Sequence, residues 1–388
     1  MKYVHRIIEQ EILKASRSFP SLLVTGPRRA GKTTLLRRLF PKAEYVLLED
    51  PDIVSRVRED PRSFVEECSC PVILDEIQNV PELFDYVRTL IDRHPKQSGK
   101  WFFTGSQEAP LMKGVSESMA GRVAVFQLLP LSKKECSKVS MFYGGFPEIL
   151  DKPSLSSVWF RSYLQTYLER DVRAITAIKD LSTFRRFLSV LASRCGTMLN
   201  KTDIAAPLGV SVPTISEWLN ILEVTGQIIL VPPFYENFGK RIIKSPKIYF
   251  TDSGLLSYLL GFEKKSVMRK STFYGNIFEG YVASEIVKEQ QNAGKRRNIY
   301  YFRDQQGLEV DFLIPWGTDE LCLLEAKATR SLKPEMAKAL NQLSASIKNK
   351  KITRYVIYPD DESGAKDKLG FIAKDTKAVC VSDIDTCI

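Results

Sequence analysis

The sequence predicts an α/β protein: a leading domain with a parallel sheet, a helical middle, and a second α/β domain towards the C-terminal end. Three observations carry that expectation. The apolar run Leu22-Leu23-Val24 leads into a glycine-containing loop that closes on Gly31-Lys32-Thr33-Thr34. A second apolar run, Val72-Ile73-Leu74, ends in Asp75-Glu76. Far downstream, two more apolar runs carry Asp311 and the pair Glu325, Lys327.

Residues 22–24 read as a buried strand and residues 33–40 as an amphipathic helix with Leu35, Leu36 and Leu39 on one face. Between them, Gly26-Pro27-Arg28-Arg29-Ala30-Gly31-Lys32-Thr33-Thr34 fits G-x-x-x-x-G-K-[ST], a phosphate-binding loop. Gly26 and Gly31 allow the amide N–H groups to turn inward as an anion nest. Lys32 can reach β- and γ-phosphates, and the Thr33 hydroxyl can ligate Mg²⁺. The helix starting near Lys32 aims its positive end at the same anion.

Residues 45–48 supply a further strand. The strand over 71–74 then delivers Asp75, suited to hold Mg²⁺ through water, and Glu76, suited to polarise an attacking water as general base. An adjacent acid pair 43 positions after Lys32 favours a hydrolase over a kinase of small substrates. Trp101-Phe102-Phe103 ends in Thr104-Gly105-Ser106, which offers hydroxyls to sense a γ-phosphate or a water; Ser106 is preferred to Thr104. Ala120-Gly121-Arg122 precedes a strand over 123–129, where Arg122 could act as a finger on the γ-phosphate of a neighbouring subunit.

After Gly145-Phe146-Pro147, helices dominate. Residues 157–178 read as a long helix with Trp159, Tyr163, Tyr167 and Leu168 at core spacing, and residues 183–194 as another. A short helix over 201–206, a turn at Leu208-Gly209-Val210-Ser211 and a helix over 213–225 then make a helix–turn–helix. Pro213 suits its first turn and Gly226 its end. Strands over 227–231 and 247–251 would form the wing, with Lys240, Arg241, Lys244 and Lys247 placed for nucleic-acid phosphates. The second helix carries no Lys or Arg, which weakens direct base readout.

Charge supports this placement. The chain is +10 at pH 7, and residues 181–270 hold 12 Lys/Arg against 6 Asp/Glu. The middle is therefore the electropositive part, and an anionic partner is expected, DNA before RNA. Further on, a helix over 273–282 presents Glu279 and a strand over 308–314 presents Asp311. A strand over 323–327 presents Glu325 and Lys327 on one face, because side chains alternate with period two. Glu279, Asp311 and Glu325 should converge, with Asp311 and Glu325 holding Mg²⁺ and Lys327 positioning a water, as phosphodiester hydrolysis requires.

With 44% hydrophobic residues over 388, the chain can bury more than one core. Domains are expected at 1–150, 151–265 and 266–388. Residues 1–10 are charged throughout and no run of 18 apolar residues occurs, so neither signal peptide nor membrane span is expected. Seven scattered cysteines and two histidines exclude a zinc framework and fit a reducing, cytoplasmic setting.

Together, residues 26–36, 74–78, 103–106, 120–123, 144–148, 167–172 and 325–327 resemble one family over nearly the whole chain. It is that of bacterial and archaeal AAA-type ATPases with a winged-helix middle and a C-terminal domain of unknown function. The resemblance implies a P-loop AAA-type parallel-sheet ATPase domain using ATP and Mg²⁺, with an extra strand between phosphate loop and sensor. It also implies a winged-helix domain and a restriction-endonuclease-like α/β domain of the PD-(D/E)xK type. By the same resemblance, Pro147 contacts the adenine or phosphate side and Arg122 is an arginine finger. Most relatives have Gln where Arg29 stands. The expected activity is ATP hydrolysis by a homo-oligomer that acts on or senses nucleic acid. A slow switch that recruits a protein partner and an ATP-gated, metal-dependent nuclease are the alternatives.

Overall fold

The computed structural model describes residues 3–106, 118–168, 181–234, 245–361 and 370–388, the side chains of 167 and 168 excepted. Two units emerge. One comprises Met1–Pro130 with Val224–Gly226 and Gln291–Lys295; the other comprises Leu131–Glu223, Gln227–Gln290 and Arg296–Ile388.

In the first unit, helix α1 (Glu9–Ser16) precedes β1 (Ser21–Thr25), and α2 (Lys32–Leu39) follows the phosphate-loop sequence. Then come β2 (Glu44–Leu47), α3 (Pro51–Glu59), α4 (Pro61–Glu67), β3 (Val72–Asp75), α5 (Leu83–Arg93), β4 (Trp101–Thr104) and β5 (Val123–Gln127). Helices α3 and α4 each begin on an Asp cap followed by Pro: Asp50 accepts from the Asp52 amide, Asp60 from that of Ser63.

Among the described residues the strands pair in the order β2-β3-β4-β1-β5, every pair parallel. Period two assigns the faces. Leu22, Val24, Ile73 and Phe102 pack with Ile8, Ile12, Leu35 and Leu36. Leu23, Val72, Leu74, Trp101 and Phe103 pack with Val57, Phe84 and Val87. Both faces are covered at the inner strands β1, β3 and β4, which therefore read as apolar runs, whereas the edge strands β2 and β5 stay partly exposed. Strand β4, which ends in the sensor hydroxyls, lies between β1 and β3; it pairs directly with β1, so the extra strand separates the phosphate loop from the acid pair and not, as expected, from the sensor. Parallel pairing brings Thr25, Asp75 and Thr104 to one edge of the sheet, where open α/β sheets bind ligands.

The second unit begins with helices. They are α6 (Pro147–Asp151), α7 (Ser156–Tyr163), α8 (Leu181–Ser193), α9 (Lys201–Leu208) and α10 (Val212–Val224). Helix α7 starts the predicted long helix; residues 169–178 of that prediction lie outside the described residues. Helix α9 ends on Gly209 with φ 66°, left-handed backbone that glycine adopts without strain, and α10 follows at once. Phe184 and Phe187 of α8 meet Trp218 of α10 at 5.4 and 5.1 Å between ring centroids. Strands β6 (Ile228–Val231) and β7 (Lys247–Phe250) then pair antiparallel.

Helices α11 (Ser253–Leu259), α12 (Lys265–Lys270) and α13 (Tyr274–Asn292) lead into β8 (Tyr300–Arg303), β9 (Glu309–Trp316) and β10 (Glu320–Ala326). Helix α14 (Lys338–Ser346) connects these to β11 (Lys351–Tyr358), β12 (Gly370–Ala373) and β13 (Thr376–Cys380). The strands form a mixed sheet in the order β12-β13-β11-β10-β9-β8. Leu340 and Leu343 of α14 cover one face over Leu313, Leu321, Leu323 and Val356. All seven cysteines are free thiols. Among the described residues, no helix is long and apolar enough to cross a membrane.

Candidate functional site

The loop between β1 and α2 has the backbone that a phosphate cradle needs. Gly26 has φ 132°, and a Cβ there would stand 2.2 Å from the Leu128 carbonyl oxygen. Gly31 (φ 101°) and Arg29 (φ 63°) are also left-handed. Helix α2 starts at Lys32, so its free amides face the loop. The buried Lys32 Nζ donates to the carbonyls of Gly26 (3.0 Å) and Pro27 (3.1 Å), across the mouth of the cradle. Arg28 pairs with Glu49 at 3.2 Å. Arg6, which the motif does not contain, is buried and donates to the carbonyls of Ala30 (3.0 Å) and Leu129 (2.7 Å). It ties the cradle to the segment after β5. The only sequence signal for it is a lone arginine beside the apolar Ile7-Ile8.

Asp75 receives hydroxyls from three directions. Thr33 Oγ1 donates to its carboxylate at 2.9 and 3.0 Å, Tyr45 to Oδ2 at 2.7 Å, and Thr104 to Oδ1. Tyr45 lies on β2 under the Arg37 guanidinium, 4.8 Å from the ring centroid. Burial, then the bond to Asp75, raises the Tyr45 phenol well above its usual range, so it stays a donor. Glu76 follows in left-handed backbone (φ 59°), with its amide anchored on Thr104 Oγ1 at 3.0 Å. Its Oε2 accepts from Ser106 Oγ at 3.1 Å and from Gln78 Nε2. Ser106 therefore reaches the Glu76 carboxylate, and Thr104 bonds the Asp75 carboxylate and the backbone amide of Glu76. Tyr45 is an addition that no local pattern announces, and Gln78 closes the 74–78 stretch that carries the resemblance, with no role read for it there. Thr33 and Asp75 offer hard oxygen ligands beside the cradle, a donor set that fits Mg²⁺.

Arg122 stands elsewhere on the sheet. Its carbonyl accepts from Ser21 N at 3.2 Å and Ser21 Oγ at 2.9 Å, at the start of β1. The cradle follows the end of β1, roughly 15 Å along the strand by the usual rise. Its guanidinium grips Asp92 with two bonds, of 2.6 and 3.0 Å. Pro147 opens α6 in the second unit, and Thr34 lies in the first turn of α2.

The C-terminal acids gather around a cation that the sequence assigned to another task. Lys247, expected on the wing, is buried at the start of β7. Its Nζ lies 2.9 Å from Glu279 Oε1, 2.5 Å from Glu309 Oε1 and 3.7 Å from Asp311 Oδ1. The phosphate-binding assignment of Lys247 is therefore corrected: an ammonium this enclosed by carboxylates presents no charge to a nucleic acid. Lys240, Arg241 and Lys244 lie outside the described residues.

Asp311 Oδ2 accepts from Ala326 N at 2.9 Å, Tyr249 donates to Glu279 at 2.5 Å, and Lys327 Nζ donates to Glu325 Oε1 at 2.6 Å. The Glu325–Lys327 pairing agrees with the predicted shared face. The expected convergence of Glu279, Asp311 and Glu325 into a metal cage is not built. Among the described residues no group of three or more His, Cys, Asp or Glu is arranged to hold a metal. The Lys247 ammonium stands among Glu279, Glu309 and Asp311, and Glu325 is held by Lys327.

Burial, then the neighbouring Asp311 charge, lifts the Glu325 carboxyl to about 8 and that of Glu279 to about 7, against the pull of the lysines. A carboxyl raised in the native state costs stability as pH climbs from its free value near 4.3 towards its native value. Glu325→Gln keeps an oxygen for Lys327 and removes that cost. Its melting temperature should gain on the native protein between pH 5 and pH 8, by up to about 5 °C. An equal difference at both pH values would show that Glu325 is ionised throughout.

Comparison with known proteins matches family models to three successive parts of the chain. The AAA domain family matches residues 18–137. Two domains of unknown function, DUF8612 and DUF4143, match residues 137–266 and 274–374. The uncharacterized protein Rv2008c of Mycobacterium tuberculosis is 32% identical over 337 residues, 84% of this chain and 74% of its own length. The uncharacterized protein MJ1544 of Methanocaldococcus jannaschii is 24% identical over 385 residues, 89% of this chain and 83% of its own. Among solved structures, a Walker-type ATPase of Pyrococcus abyssi aligns with 65% of this chain and 94% of its own, at 16% identity and a TM-score of 0.41.

Proposed function

The chain belongs to the family of the mycobacterial protein Rv2008c and carries an AAA-type ATPase domain, and on that premise we propose that it is a Mg²⁺-dependent ATPase that acts on or senses nucleic acid as a homo-oligomer. One observation carries the hydrolytic part: Thr33, Asp75, Glu76 and Ser106 are linked by hydrogen bonds at the strand ends beside the phosphate cradle. The amides of 26–33 and the Lys32 ammonium bind the ATP phosphates. Thr33 and Asp75 would hold Mg²⁺, which when bound neutralises charge developing on those phosphates. Glu76 takes a proton from the water that attacks the γ-phosphorus, and ADP and phosphate leave. Arg122 of a neighbouring copy completes the charge balance.

Tyr45 and Thr104 fix the orientation of the Asp75 carboxylate. Tyr45→Phe removes one of those hydroxyls and nothing else. The Mg²⁺ concentration for half-maximal turnover should rise by about 10-fold, because outer partners tune metal affinity on that scale. An unchanged Mg²⁺ midpoint would take Tyr45 out of the site.

The nucleic-acid part rests on the charge of residues 181–270 and on the helix–turn–helix order of α9 and α10 ahead of the β6–β7 pair. ATP turnover measured with no DNA and with duplex, single-stranded and branched DNA tests it. Stimulation by one of these supports the reading. Slow turnover that DNA leaves unchanged favours the alternative, an ATP-dependent switch that recruits a protein partner. The hold of Gln78 and Ser106 on Glu76 Oε2 favours slow turnover. Changing Lys240, Arg241 and Lys244 together to Ala should lower DNA affinity. It should also reduce the log–log salt slope by about 1 for each phosphate that is no longer neutralised. An unaltered slope removes those three from the interface.

A further inference from the structure

We infer that the carboxylate cluster on β9 and α13 is a cation site already filled by the protein's own Lys247, and that it accepts a divalent metal only when that ammonium is removed. This goes beyond the ATPase reading and does not depend on it. The cluster draws on two elements. Glu309 and Asp311 are two apart on β9 and share a face, and Glu279 comes from α13. Lys247 enters from β7, a strand that pairs with β6 and not with the six-stranded sheet.

Distances identify the resident cation. Carboxylate oxygens of Glu309, Glu279 and Asp311 stand 2.5, 2.9 and 3.7 Å from Nζ. Charge-assisted N–H···O bonds run at about 2.7–2.9 Å. Mg²⁺ requires near-octahedral oxygens at about 2.0–2.1 Å. The ring therefore has the width of an ammonium site. The Tyr301 ring adds a fourth wall, its centroid 5.6 Å from Nζ. Lys247 is 2% exposed, so water does not screen its pull on the acids.

A second observation shows unused ligand capacity at the same place. Glu325 Oε1 holds Lys327, but Glu325 Oε2 is buried with no hydrogen-bond partner among the described residues. Glu325, Lys327 and Glu309 line a cleft of about 1090 Å³. An acceptor of this kind is costly to leave unpaired. It becomes useful once a doubly charged ion replaces the ammonium among Glu279, Glu309 and Asp311, because Glu325 stands on β10, the strand paired with β9.

The test uses the full chain without nucleotide, with Mn²⁺ as the probe. Bound Mn²⁺ is counted by electron paramagnetic resonance, and melting temperature is followed alongside. In the native protein, Asp311→Asn should leave Mn²⁺ binding unchanged. Lys247→Met should gain one Mn²⁺ and melt about 5 °C higher when saturated with Mn²⁺ than without it. Both gains should vanish in Lys247→Met/Asp311→Asn. If Lys247→Met is unfolded in metal-free buffer, millimolar Mn²⁺ should refold it; a chain that stays unfolded counts against the inference. Lys247→Met/Glu279→Gln removes the ammonium together with one of the three carboxylates it holds. It should fold and still bind Mn²⁺ through Glu309, Asp311 and Glu325. Should this variant fold and ignore Mn²⁺, the inference fails. It also fails if the native protein binds Mn²⁺ as tightly as Lys247→Met does, in an Asp311-dependent manner.

Discussion

Glu76→Gln should lower ATP turnover by about 10²–10⁴-fold while ATP still binds, because the amide keeps the shape of the side chain and loses only the base. The structure sharpens this expectation. The Glu76 amide is anchored on Thr104 Oγ1, so its place at the end of β3 does not depend on the charge of its carboxylate. Ser106 Oγ donates to Oε2, and a glutamine oxygen accepts from the same hydroxyl. The variant should therefore fold as the native protein does and trap ATP. Single-turnover hydrolysis and equilibrium nucleotide binding, measured on the same preparation, separate the two effects. Native-rate hydrolysis by Glu76→Gln would falsify the assignment of the base. The neighbouring Asp75 would then be the next residue to test, because it is the other carboxylate in reach of Thr33.

What could be read from the sequence and what could not divides along physical lines. The order of strand, loop, helix and acid-terminated strand was legible because each piece is local. A buried parallel strand must be apolar on both faces, and the cradle needs glycine at fixed offsets. The hydroxyl brace of Asp75 was only partly visible. Thr33 and Thr104 come with motifs, whereas Tyr45 sits on an edge strand whose neighbour is set by sheet order rather than by sequence distance. Lys247 shows the limit most clearly. Beside Lys240, Arg241 and Lys244 it reads as one more cation in a basic stretch. Period two along β7 turns it inward with Tyr249, and the approach of α13 and β9 decides its partners. The cost of burying a charge is met only by three acids that lie 32 to 64 positions away. No window of sequence contains that information.

Lys32→Ala should weaken ATP binding by about 10²–10³-fold, the cost of removing a buried charged donor from a phosphate. This variant and Glu76→Gln thus fail at different steps. Lys32 is 5% exposed, and its ammonium is already bonded to the carbonyls of Gly26 and Pro27. Those bonds draw the two ends of the loop together, so the ammonium serves the loop as well as the ligand. Loss of both functions could slacken the cradle, and a melting curve without nucleotide measures that part. Arg6 limits it, because its guanidinium holds the Ala30 carbonyl independently of Lys32. The nucleotide-free melting temperature should therefore fall by only a few degrees, while the stabilisation by ATP and Mg²⁺ disappears. A dissociation constant within threefold of the native value would place the ATP phosphates away from Lys32. Thr33 and Asp75, which are held together beside it, would then lose their assignment to Mg²⁺ as well.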